Sequence, residues 1–102
     1  MAQFAVHANR NPRTREAIPY LLDVQSDLLS VLATRLVVPL YRPSGRNLAK
    51  LTPEVRFQGQ SLVAMVPEMA GVPGRDLGPP VGEVAAYRNQ LLGAIDLLLT
   101  GF

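Results

Sequence analysis

The chain has 102 residues, 48% of them hydrophobic and 18% charged, the make-up of one folded domain rather than a disordered segment. It has no cysteine and a net charge of +2, which excludes a disulfide framework and a thiolate zinc site and argues for neither nucleic acid nor an acidic partner. The opening residues lack a basic-then-apolar leader and no apolar run nears the ~20 residues of a membrane span, so a cytoplasmic protein without membrane contact is expected.

Residues Gln3 to Ala8, "QFAVHA", alternate and predict a first strand. Asn9 to Glu16 follow as a polar, proline-containing loop carrying Arg10, Arg13 and Arg15, expected to be mobile. Ile18 to Ser26 are β-rich, with Pro19 pushing their start to an edge or bulge. Thr34 to Tyr41, "TRLVVPLY", predict another strand with an internal proline. Tyr41 to Pro53 form an excursion with turn chemistry at Pro43-Ser44-Gly45, and they carry Arg42, Arg46 and Lys50. Glu54 to Val66 predict a hairpin turning at Gln58-Gly59-Gln60. Pro67 to Pro80 are rich in proline and glycine and predict irregular structure with at most one short strand.

From about Val81 the period changes. Val84, Leu91, Ile95 and Leu98 fall on one helical stripe flanked by Tyr87, Ala94 and Leu99, which predicts an amphipathic helix over about 81–100 with Leu91, Ile95 and Leu98 in the core. Gly101 suits a left-handed cap. Strands within about 3–73 followed by one C-terminal helix predict a mainly β domain, an antiparallel barrel or rolled sheet with the helix against it.

The residue types of catalysis are sparse. His7 is the lone histidine, in a predicted strand, where a hydrogen-bonded or exposed histidine is the ordinary case. Asp23 and Asp27 flank "VQS" without a third oxygen cluster, so solvated strand-end carboxylates are expected rather than metal ligands. No nucleophile motif and no phosphate-binding glycine loop is present. The expectation is a binding protein with no catalytic residues, no metal, no cofactor and no sequence-specific nucleic-acid contact.

Several stretches taken together, "QFAV" at 3–6, "DVQSDL" at 23–28, "VPL" at 38–40, "MAGVP" at 69–73 and the end "AIDLLLTGF", resemble the CcdB family, the toxin half of a bacterial toxin–antitoxin pair. The resemblance spans essentially the whole chain. It implies a Src-homology-3-like barrel with a small additional sheet, one C-terminal helix and a homodimer. It implies further that the protein binds the DNA gyrase A subunit, traps the cleaved-DNA complex, and is neutralised by a disordered, CcdA-like antitoxin. The family contact is a Trp-Gly-Ile ending at the helix tip, with two apolar residues after the "DVQSD" stretch close by. Here those positions read Thr100, Gly101 and Phe102, with Leu28 and Leu29; Asp96 and Leu99 stand at further tip positions. The family's tryptophan stacks on a gyrase arginine, and a ring over a guanidinium contributes ~0.5–2 kcal/mol. Thr100 has no ring, so a weaker gyrase contact is expected. Arg10, Arg13, Arg15, Arg42, Arg46 and Lys50 are the expected contacts for an acidic antitoxin segment. Two alternatives stand beside the toxin reading: a homologue that keeps dimerisation and antitoxin binding with weak or lost poisoning, and an endoribonuclease of the MazF-like type that shares the fold and would use His7 and the Arg10–Arg15 loop.

Overall fold

A computed structural model of the chain describes residues 2–45 and 50–101. Seven strands are described: β1 (Ala5–Ala8), β2 (Tyr20–Asp23), β3 (Thr34–Tyr41), β4 (Glu54–Phe57), β5 (Gln60–Ala64), β6 (Ala70–Pro73) and β7 (Pro80–Glu83). One helix, α1 (Arg88–Thr100), follows. The strands run antiparallel in the order β4-β5-β3-β2-β1-β7, with β6 pairing β3 off that path. The sheet curls into a half-barrel against α1, the mainly β, Src-homology-3-like architecture expected.

β3 is the axis of the sheet. Its first half, Thr34 to Val37, pairs β6, and its last two residues, Leu40 and Tyr41, pair β5. The small additional sheet is therefore a branch of the main one. Pro39 sits at the fork, where neither neighbour pairs with it, so its missing N–H costs no bond on that side. The β4–β5 hairpin turns through Gln58 and Gly59, both at positive φ, the geometry of the tight hairpin turns that match strand twist.

Alternation on β3 explains the core. Val38 and Leu40 face Val6, Leu22, Val55, Leu62, Val66 and, from α1, Leu91 and Ala94. Fully burying a leucine such as Leu91 contributes ~1.5–3 kcal/mol, and this contact, not intrinsic propensity, holds a helix of 13 residues in place. The opposite face is covered too: His7, Asp23, Arg35 and Val37, which alternate with the core residues, are all buried.

Helix formation starts later than its apolar period suggests. Pro80–Glu83 are not helix but the edge strand β7, pairing β1 through Ala5↔Glu83 and Val6↔Gly82. A 3-10 turn over Ala85–Tyr87, whose first N–H is accepted by Glu83 Oε2 at 2.6 Å, then leads into α1. Val84 and Tyr87 reach the core along this path, which is why they mimic a helical stripe. Gly82 explains the strand. A Cβ there would lie 2.4 Å from Phe57 Cε1, and that ring is held edge-on by Tyr20, 5.1 Å between centroids. Gly82→Val is expected to cost about 1–3 kcal/mol through overpacking; urea denaturation checks it, and an unchanged midpoint contradicts the close approach.

Beneath α1, the 3-10 turn Val66–Glu68 is tied to the end of β3 by a hydrogen bond between the Tyr41 hydroxyl and Glu68. That bond to the carboxylate, with burial and the carboxylate's charge adding to it, pushes the Tyr41 phenol up to about 12.

Candidate functional site

The tip of α1 is one candidate surface. The buried stripe ends with Ala94 and the half-buried Ile95; Leu98, expected in the core, is 37% exposed and Leu99 is 72% exposed. In this last turn only Leu97 is half-buried, so the apolar period outruns its cover. Gly101 closes the helix in the left-handed conformation (φ 78°), its N–H donating to Leu97 O at 2.8 Å. Thr100 is exposed, and its hydroxyl donates back to Asp96 O at 2.8 Å. The last turn holds no basic residue. The negative end of the helix dipole and the exposed Asp96 carboxylate therefore make this tip attractive to a cation. Phe102 lies outside the described residues.

The second candidate surface is the loop after β2. Leu28 and Leu29 sit in a 3-10 turn, Asp27–Leu29, whose Ser26 side chain caps it by accepting from Leu28 N. Leu28 is 90% exposed, Leu29 47%, and they continue into Val31 at 91% and Leu32 at 49%. Four large aliphatic side chains in five residues exceed the scatter normal for a surface. Val31 and Leu32 escape sequence reading because "LLSVLA" has neither strand alternation nor helical length.

The two surfaces are anchored at different places. Asp27 Oδ1 accepts from Gln3 N at 2.6 Å, beside Phe4. The Phe4 ring lies 6.0 Å from the Arg88 guanidinium, at the first turn of α1. Thr100 closes the same 13-residue helix, about 18 Å further along its axis. No hydrogen bond or ion pair among the described residues joins the 28–32 loop to the helix tip.

The basic residues separate as well. Arg10, Arg13 and Arg15 are exposed on a hydrogen-bonded turn. Asn9 Oδ1 accepts from Asn11 N, Asn11 Oδ1 accepts from Arg13 N, and Asn9 Nδ2 donates to Ile18 O and to Thr14 Oγ1. Short amide side chains bonding nearby backbone build such turns. Arg42 is a strap rather than a free charge: its Nε donates to Glu16 O at 2.8 Å and its Nη1 to Gln60 Oε1 at 3.1 Å. Lys50 lies elsewhere, on a groove of about 410 Å³ against α1 with Pro53, Gly93, Ala94 and Leu97. Arg46 lies outside the described residues.

The residues considered for chemistry are structural in their surroundings. His7 is fully buried, with Nδ1 2.8 Å from Gly78 O, so it presents no acid or base to an RNA strand. Asp23 is not a solvated strand end. It is fully buried and paired with Arg35, whose Nε and Nη2 both reach Oδ2 at 2.8 Å. Asp27 spends one oxygen on Gln3 N. Among the described residues no cluster of three or more His, Cys, Asp or Glu side chains could hold a metal ion, and no helix is long and apolar enough to cross a membrane.

A rolled antiparallel sheet closed by one C-terminal helix is the architecture that the resemblance above implies. The family model for CcdB protein matches residues 3–101, and the chain belongs to the CcdB family of toxins from toxin–antitoxin systems.

Proposed function

We propose that the chain is a toxin that acts as a homodimer by binding the DNA gyrase A subunit, inhibits the topoisomerase without catalysing a reaction of its own, and is neutralised in the cytoplasm by a CcdA-like antitoxin. The observation that carries this reading is the family match over residues 3–101. Two features support it: the exposed aliphatic run Leu28, Leu29, Val31 and Leu32, and a helix tip with no basic residue in its last turn, whose negative end suits an arginine. Leu28, Leu29, Asp96, Leu99, Thr100, Gly101 and Phe102 form the gyrase contact in this reading. In this reading the helix tip and Leu28 and Leu29 lie close to the dimer two-fold, and the assembled dimer joins them. Calorimetric titration against the dimerisation region of gyrase A tests the reading. Saturable binding at one dimer per gyrase A dimer is expected, and no heat at tens of micromolar would remove it.

Thr100 favours a second reading, a homologue that dimerises and binds antitoxin but poisons gyrase weakly, because the tip keeps no ring among its described residues. Antitoxin binding is common to both. Arg10, Arg13 and Arg15 share one turn, with no salt bridge to any described carboxylate, and suit an acidic segment. Arg42 is occupied as a strap, and Lys50 contributes from the groove beside α1. Reversing Arg10, Arg13 and Arg15 to glutamate is expected to slow antitoxin association about tenfold at low salt and much less at high salt. Stopped-flow rates that stay unchanged at low salt would contradict the assignment.

A further inference from the structure

We propose that Gln25 is a positioning residue: it fixes the exposed aliphatic loop 28–32 in one conformation and so prepares that loop for its partner. The second half of the proposal rests on the gyrase reading above; the first does not.

All four polar groups of Gln25 are engaged, and they point to two different layers. Its backbone N–H donates to Asp23 Oδ1 at 3.0 Å, and its carbonyl accepts from Arg35 Nη2 at 3.4 Å. Both partners belong to the buried Asp23–Arg35 ion pair, so the backbone of residue 25 is fixed by a charge pair inside the fold. The half-buried side chain reaches outward from there. Oε1 accepts from Leu36 N at 3.1 Å, which holds the amide to β3. Nε2 then donates to Leu29 O at 3.2 Å, in the exposed turn.

That last bond ties the core to the loop. The loop's other ties are short-range, run to the chain's beginning or hold its far end: Ser26 Oγ caps Leu28 N, Ser30 N donates to Asp27 O, Leu32 N donates to the same Leu29 O at 3.0 Å, Gln3 N donates to Asp27 Oδ1, and Gly74 N donates to Ala33 O. Only Gln25, among the described residues, links the turn through a side chain to the central strand. An exposed apolar loop that is already ordered loses less conformational freedom when it docks. The "VQS" of the motif therefore has a physical reading: Gln25 holds the leucines that Ser26 caps.

The test uses the full chain with Gln25→Glu and Gln25→Ala. The glutamate keeps an acceptor for Leu36 N, removes the donor to Leu29 O and adds a negative charge facing that carbonyl; the alanine removes both bonds without adding a charge. Backbone order parameters are measured by NMR relaxation for residues 26–33 and for β2 and β3, alongside off-rates from the gyrase A dimerisation region. In both variants the order parameters of 28–32 are expected to fall from the rigid range near ~0.85 to below ~0.6, with β2 and β3 unchanged. The off-rate is expected to rise about five- to tenfold, the scale of one lost hydrogen bond. Order parameters that stay rigid in 28–32, or that fall equally in β2 and β3, overturn the positioning role. A loosened loop with an unchanged off-rate overturns its service to the gyrase contact. If the unmodified protein does not bind gyrase A, the gyrase reading fails by itself, and the order parameters still decide the role of Gln25.

Discussion

Arg35→Met is expected to destabilise the protein by about 3–5 kcal/mol, the usual cost of leaving one charge of a buried pair alone. For a domain of this size that is a fall of about 12–20 °C in Tm. Arg35 and Asp23 are 3% and 0% exposed at their side chains, so no water replaces the lost partner. The loss also spreads, because Arg35 Nη2 reaches Gln25 O. The double variant Asp23→Leu with Arg35→Met removes both charges and is expected to recover at least half of the loss. It does not recover all of it, since Gln25 N then loses Asp23 Oδ1. Thermal unfolding followed by circular dichroism checks both. A loss below 1 kcal/mol in the single variant would mean that the pair is solvated.

Thr100→Trp is expected to tighten binding to the gyrase A dimerisation region roughly five- to thirtyfold, the effect of one cation–π contact of ~1–2 kcal/mol. Thr100 is exposed and its hydroxyl is spent on its own helix, on Asp96 O, so the larger ring displaces no packed neighbour. Ending the chain before Thr100 is expected to abolish measurable binding, since central anchors carry most of an interface's energy. Neither variant touches Leu91 or Ala94, the residues that fasten α1, and both should keep the parent's Tm within a few degrees. Unchanged affinity in both would move the gyrase contact away from the tip.

The strands of the first half were legible from alternation in Gln3 to Ala8 and from β-rich composition after Ile18: the predicted Thr34 to Tyr41 matches β3 end to end. The turn at Gln58-Gly59 was legible for a conformational reason, since positive φ favours such residues. β7 was not legible. Pro80-Val81-Gly82-Glu83 is exposed along its length, so it shows no alternation, and Gly82 is required by a phenylalanine 25 positions earlier in the chain. A local window cannot contain that contact. Asp23 was misread for the same reason: its partner, Arg35, is 12 residues away on the next strand. On the helix, periodicity found the stripe but not where its cover stops, so Leu98 was placed inside although the last turn is exposed. Of the candidate site, Leu28 and Leu29 came from the resemblance alone. Their exposure, and the addition of Val31 and Leu32, required the three-dimensional arrangement.

The central claim is that this chain acts on gyrase through protein contact. Its most direct test is a supercoiling and DNA-cleavage assay with purified gyrase, ATP and relaxed plasmid, comparing the protein with its Thr100→Trp variant. The account predicts inhibited supercoiling and accumulated cleaved DNA, at lower concentration for Thr100→Trp, with both effects reversed by the cognate antitoxin. Supercoiling at the uninhibited rate with no cleaved DNA, for both proteins at concentrations where each is folded and dimeric, would contradict it.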